Sequence, residues 1–290
     1  MLREYATAKA FRTALEDRLN KTAGAEKIQV NRLRRQVAFD RLLARLFRTD
    51  PAPWVLKGGY ALELRFRTAR ATIDIDLTVQ RVAAATEDDA NQIVRDMLQN
   101  AASFRLGDWF EYTIGAPAKD LDAAPYGGVR YPVETWMDGR IFARFHLDAG
   151  IGDAVIQPVE IIECRDWLAF AGIASPLVPT ISREQQFAEK LHAYTLPRSS
   201  TNSRVKDLID LALLIRSGRL APKRAADALR LTFVRRQTHE LPSELLKPPP
   251  EWQGRFNSLA EECQLPANMG ALFAEVEAFF GRMAGSKGRS

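Results

Sequence analysis

The sequence predicts an α+β fold followed by a helical C-terminal part. Three observations carry this expectation. The stretch "TIDIDLTV" alternates apolar and polar residues with the period of a strand, whereas "NRLRRQVAFDRLLARLF" spaces Leu33, Val37, Leu42, Leu43 and Leu46 near helical intervals. Composition then changes at "ASPLVPTISREQQ", beyond which no strand signal is visible.

In chain order, residues 5–20 and 31–48 read as helices, and the prolines of "DPAPW" stop the second. "WVLKGG" reads as a short strand, "YALELRF" as a helix of about two turns, and "TIDIDLTV" as a strand with Ile73, Ile75 and Leu77 directed inward. Thr86 caps the helix in "TEDDANQIVRDMLQN", whose first turn is acidic. Three strands are expected next, in "WFEYTIG", "VRYPVETWM" and "RIFARFHLDAG", with Asp138-Gly139 as a hairpin turn between the last two. Ser182 and Gln185 read as a capping box for "REQQFAEKLHAYT". "SRVKDLIDLALLIRSG" is expected to be capped by Ser203 and closed by Gly218. "APKRAADALRLTFVRR" continues the helical pattern, the "LKPPPEW" loop interrupts it, and helices over about 254–263 and 267–283 complete it. The expected domains are 1–175, an α+β catalytic part with N-terminal helices, and 176–284, a helical part, with 285–290 as a flexible tail.

Composition bounds the function more than it defines it. The balance of 46% hydrophobic and 27% charged residues is that of a globular protein. No leader pattern and no apolar run of about 18 residues is visible, so a cytoplasmic protein without membrane association is expected. Two cysteines and three histidines in no motif argue against zinc, so any metal should be held by oxygen. The net charge is +5, with 31 Arg and 10 Lys, which permits a polyanionic partner without specifying one.

The chemistry concentrates between Val55 and Val79. Side chains alternate along a strand, so Asp74 and Asp76 of "IDIDL" face the same way. Two like charges side by side are costly unless a cation lies between them, and Mg²⁺, or Mn²⁺ in its place, suits two carboxylates plus substrate phosphates. Upstream, Gly58 and Gly59 end a strand and open a helix, where unhindered N–H groups can hold phosphate. One element binds phosphates and the other a metal that bridges them, which points to a nucleoside triphosphate (NTP) site for phosphoryl or nucleotidyl transfer. Thr72 shares the face of Asp74 and is a candidate contact to substrate. Lys57 and Arg70, with Arg65 and Arg67, surround the motif as candidate phosphate contacts.

These residues carry a family resemblance. "LKGGYALELRFRTARATIDIDLTV" resembles the signature of polymerase beta-type nucleotidyltransferases, and its "KGG.AL" and "DIDL" elements are similar to the AbiEii branch, the abortive-infection and MenT toxins of type IV toxin–antitoxin systems. The resemblance implies a polymerase beta-like core with a mixed sheet, and a helical part that closes over the site. It implies a helical lysine, matched here by Lys190 in "AEKLHAY", and a basic-Asp-x-x-Asp segment, matched by Asp207 and Asp210 in "VKDLIDL". Asp207 is then the catalytic candidate and Asp210 the structural one. It further implies transfer of nucleotides, pyrimidine in kind, to the 3′ end of tRNA, with a cognate antitoxin as regulator.

Alternatives stay open in the sequence. Lys190 also reads as a snorkelling or ion-paired lysine, and the acids of "KDLIDL" as a surface-bridged helix through Lys206 and Asp210. Asp148, on the polar face of its strand with Arg144 and His146, competes with Asp207 for the role of third carboxylate. Arg34, Arg35, Arg235 and Arg236 offer a weak basic track for nucleic acid. Rival functions are transfer to a small molecule of the aminoglycoside type, transfer to protein, and nucleotide binding without catalysis.

Overall fold

Alternation and helical periodicity translate into elements much as expected. A computed structural model describes residues 5–79, 82, 86–120, 127–197 and 204–285. Its elements begin with α1 (Ala8–Glu26), α2 (Val30–Leu46), β1 (Trp54–Lys57), α3 (Gly58–Arg65), β2 (Asp74–Val79) and α4 (Glu87–Ala102). Then follow β3 (Glu111–Ile114), β4 (Lys119–Asp120), β5 (Gly128–Met137), β6 (Arg140–Ile151), β7 (Glu160–Glu163) and β8 (Leu177–Thr180). The chain ends in α5 (Arg183–Thr195), α6 (Val205–Arg216), α7 (Pro222–Arg236), α8 (Gln253–Glu262) and α9 (Met269–Gly285).

The chain divides into two compact units. The first comprises residues 1–60, 71–152 and 161–180, and the second 61–70, 153–160 and 181–290. Each is therefore assembled from separated segments, whereas the sequence suggested a single division after residue 175.

The first unit is built on a mixed sheet in the order β3-β5-β6-β2-β1-β8-β7, with β4 on the side of β5. β2 runs antiparallel to β1 and parallel to β6, and β5 and β6 form the long hairpin. The hairpin turns at Asp138 and Gly139, both with positive φ (55° and 64°), as a two-residue turn of this type needs. Helix α2 packs on the sheet, and its Leu33, Val37, Phe39, Leu42 and Leu43 are each at most 1% exposed. Phe39 meets Tyr60 and Phe145 edge to face, with centroids 4.8 and 4.7 Å away.

The second unit is a cluster of packed helices. Phe187 and Leu191 of α5, Leu208 and Leu211 of α6, Phe256 of α8 and Leu272 and Val276 of α9 form its buried centre. Ser182 caps α5 by accepting from the N–H of Gln185 at 3.2 Å. The Gln185 side chain does not return to Ser182 as a capping box requires. It bonds instead to the backbone of Ala154 and Ile156 and to Glu189.

Three details differ from expectation. Ile73 does not point inward: β2 begins one residue later, and Ile73 is 59% exposed. The segment "LVPT", read as loop, is strand β8 and pairs parallel with β1 at Leu56 and Thr180. β7 was also missed. Both are four residues long, too short for periodicity to register. The expected cap at Ser203 lies outside the described residues, as does the tail from 286 onward. Among the described residues, no helix is long and apolar enough to cross a membrane.

Candidate active site

In the first unit the strand register gathers the expected carboxylates. Lys57 of β1 lies opposite Asp76 of β2, Asp76 opposite Asp148 of β6, and Asp148 opposite Arg130 of β5. In-register neighbours share a face. Two acids are thus flanked by two cations in one row across four strands. Asp74 stands two residues before Asp76 on the same face, opposite His146.

The glycine pair is fitted to this row. Gly58 has φ +68°, where a side chain is strained, and a Cβ there would overlap the Asp76 carboxylate. A Cβ on Gly59 would lie 2.7 Å from Oγ1 of Thr72. The N–H of Gly59 donates to Oδ2 of Asp76 at 3.3 Å, and Oγ1 of Thr72 to Oδ1 of Asp74 at 3.2 Å. Turn and strand therefore meet through hydrogen bonds as well as packing, and Thr72 is a neighbour of the Asp74 carboxylate.

Arg130 joins the acids. Its Nε and Nη2 donate to Oδ1 and Oδ2 of Asp148, both at 2.7 Å, and Nη2 also reaches Oδ2 of Asp74 at 3.0 Å. Its hydrogen bonds to Asp148 raise its pKa further above the ordinary guanidinium value, against the opposing effect of burial, with added pull from the charges of Asp148, Asp74 and Asp76. Sequence reading missed Arg130. Counting back from the Asp138-Gly139 turn would set it opposite Leu147, on the wrong face. An irregularity between Thr135 and Trp136 shifts the register by one and brings Asp148 into place.

The second unit holds a separate charged cluster. Lys190 on α5 places Nζ 2.7 Å from Asp210 and 3.3 Å from Asp207, both on α6. Arg70 forks onto Asp210 at 3.0 and 2.8 Å, and Arg204 reaches Asp207 at 3.2 Å. Asp207 is 3% exposed and Asp210 0%, so the surface-bridged reading of this helix is incorrect. Burial alone would lower the pKa of Lys190, but Asp210 and Asp207 outweigh it and the net shift is upward. Burial alone would raise that of Asp210, but Lys190 and Arg70 bring it below the ordinary carboxylate value. Arg70, expected at phosphate, is committed to Asp210.

Three other basic residues are also engaged. Arg65 pairs with Glu160 at 3.2 Å, Arg34 with Glu16 at 2.7 Å, and Arg236 with Asp153 at 3.0 Å.

For a divalent cation the donors of the first unit are hard carboxylate oxygens, the class Mg²⁺ and Mn²⁺ take. Among the described residues, no three His, Cys, Asp or Glu side chains form a ready-made metal cluster. Mg²⁺ needs only one or two protein carboxylates beside substrate phosphates, and a cationic group already bridges Asp74 and Asp148 in the form of Arg130. The residues fit such an ion.

Comparison with known proteins agrees with this architecture. No curated protein sequence matches the chain significantly. Among solved structures, the MenT4 nucleotidyltransferase toxin of Mycobacterium tuberculosis H37Rv is similar at 18% identity with a TM-score of 0.59, over 88% of this chain and 84% of that one. JHP933 from Helicobacter pylori aligns at 16% identity with a TM-score of 0.47, over 88% and 94% of the two chains. The first likeness establishes the mixed-sheet α+β fold. The sequence profile described as "Nucleotidyl transferase AbiEii toxin, Type IV TA system" matches residues 41–279, which span both the Asp74/Asp76 strand and the Lys190/Asp207 helices. The chain belongs to the AbiEii family of nucleotidyltransferase toxins of type IV toxin–antitoxin systems.

Proposed function

We propose that the chain transfers a nucleotidyl group from a nucleoside triphosphate, pyrimidine in kind, to the 3′ end of tRNA, in a Mg²⁺-dependent reaction that blocks aminoacylation and so translation. Family membership implies a nucleoside triphosphate as substrate and an antitoxin as partner. The observation that carries the chemistry is the placement of Asp74 and Asp76 on one strand face beside the Gly58-Gly59 turn. The acceptor and the choice of base rest on the resemblance to the toxin branch.

In the proposed reaction the acceptor hydroxyl oxygen bonds to the α-phosphorus, the bond from that phosphorus to the bridging oxygen breaks, and pyrophosphate leaves. Asp74 and Asp76 would hold the metal, which when bound neutralises charge on the phosphates. The Gly58-Gly59 turn admits the triphosphate close to the backbone, and Lys57 adds a charge at the end of the same row. Both oxygens of Asp148 are taken by Arg130, which favours a positioning role for Asp148 over that of proton acceptor. The resemblance to the toxin branch supports a part for Lys190 and Asp207 in the same reaction, Lys190 toward the triphosphate and Asp207 toward the acceptor proton.

The test is transfer of label from each of four α-labelled nucleoside triphosphates, with Mg²⁺, to total tRNA, total protein and an aminoglycoside panel, comparing wild type with Asp74→Ala. Label on tRNA that vanishes in the variant is the expected result. Label on protein or drug alone would replace the acceptor, and no label together with no triphosphate binding would overturn catalysis.

A further inference from the structure

The guanidinium of Arg130 sits where the proposed function requires a metal ion nearby, and the two demands conflict. Its grip on the acids is unequal. Asp148 receives a two-point fork at 2.7 and 2.7 Å, whereas Asp74 receives one hydrogen bond of 3.0 Å from Nη2, a nitrogen already shared with Asp148. Bidentate carboxylate pairs outlast single shared contacts, so the link to Asp74 is the one that yields first. β5 and β6 are joined by the longest ladder of the sheet, which fixes the fork end of Arg130. The Arg130 side chain is 30% exposed and that of Asp74 23%, so an ion arriving from solvent can reach the weaker contact.

From this we propose that Arg130 is the built-in counter-ion of the carboxylate row: it holds Asp74 until a divalent cation displaces it, while remaining forked to Asp148. The inference rests on the reading of Asp74 and Asp76 as cation ligands. It has two consequences. Without a divalent ion the three acids are kept from repelling one another, because like charges at this spacing disfavour the folded state. With a guanidinium competing for Asp74, a free divalent cation binds weakly, and the site favours cation delivered together with a triphosphate. Once released from Asp74, Nη2 lies beside that carboxylate as a ready donor to phosphate.

The experiment is Mn²⁺ binding to nucleotide-free protein, read as loss of the free Mn²⁺ EPR signal, alongside thermal melting with and without Mn²⁺. The proteins compared are wild type, Arg130→Met, Arg130→Lys and Asp74→Asn. Arg130→Met should bind Mn²⁺ roughly three- to tenfold more tightly than wild type, since one competing partly exposed charge pair is removed. It should melt lower than wild type without Mn²⁺ and gain more from its addition. Arg130→Lys keeps a charge but cannot form the fork, so its affinity should fall between the two. It also carries the test if the methionine variant does not fold. Unchanged or weaker Mn²⁺ binding in a folded Arg130 variant would overturn the counter-ion role and leave the carboxylate site standing. Absence of Mn²⁺ binding in every protein would overturn both together, and loss confined to Asp74→Asn supports the ligand reading on which the proposal rests.

Discussion

Gly58 and Asp76 compete for one volume: a Cβ on residue 58 would overlap the Asp76 carboxylate, and only its absence lets the turn after β1 lie against β2. Gly58→Ala therefore meets two penalties, the left-handed backbone at φ +68° and displacement of a proposed metal ligand. A stability loss of about 1–3 kcal/mol is expected. Transferase activity should fall much further than that loss explains. Gly59→Ala meets the Thr72 side chain instead, and Thr72→Ala should restore part of its stability. Urea titrations of the single and double variants, with activity measured well below each midpoint, separate the two effects.

The two aspartates of α6 should divide between stability and chemistry. Asp210 is fully buried and answers two cations, Lys190 and Arg70, so Asp210→Asn leaves Arg70 without its carboxylate in the interior. A loss of about 3–5 kcal/mol is expected. Asp207 has longer contacts, 3.3 Å to Lys190 and 3.2 Å to Arg204, so Asp207→Asn should cost less stability. Its loss of transfer should be the larger of the two at equal folded fraction. Equal stability losses, with activity tracking the folded fraction in both, would make Asp207 structural.

Arg41 and Arg45 on α2 share one acid. Arg41 Nε lies 2.7 Å from Asp108, and Arg45 forks onto it at 2.9 and 2.6 Å. Arg45 also donates to the carbonyl of Phe110 at 2.8 Å. Asp108 is 1% exposed and its pKa is held below the ordinary carboxylate value, because the hydrogen bond and charge of Arg45, aided by Arg41, overcome the upward effect of burial. Asp108→Ala would strand two buried guanidinium groups, and about 3–5 kcal/mol of lost stability is expected by calorimetry or denaturant unfolding. Asp108→Asn should cost less, since it keeps an acceptor oxygen.

This cluster marks where the sequence stops being legible. The apolar stripe of α2 and the same-face placement of Asp74 and Asp76 follow from local periodicity, which the chain carries over a few residues. Arg41 and Arg45 look like the solvated side of that helix, because their partner Asp108 lies 67 and 63 residues away. Arg130 is hidden differently, by a register shift that local alternation cannot announce. Strand β8 escaped because Pro179 within it and Pro176 just before it read as loop, although it needs only a short pairing with β1. Lys190, Asp207 and Asp210 were legible as a motif, while the commitment of Arg70 to Asp210 depends on a contact 140 residues long.

Beneath the glycine turn, Asp40 makes stability depend on pH. It is 1% exposed and accepts a hydrogen bond from Tyr60, the residue that follows Gly59. Burial pushes its pKa up to about 7, against the lowering influence of Tyr60, Cys164, Trp167 and Arg41. In the unfolded chain the group titrates near the ordinary aspartate value of about 4. Between these values the folded state binds more protons than the unfolded, so this group's contribution is full below about pH 4 and is lost as pH rises through about 7. Asp40→Asn removes the titration while keeping an acceptor for Tyr60. The stability difference between the variant and wild type should therefore shift in the variant's favour from pH 5 to pH 8, by on the order of a few kcal/mol. Urea midpoints of both proteins across that range measure it, and a difference that does not change with pH would mean that Asp40 is already ionised in the fold at pH 5.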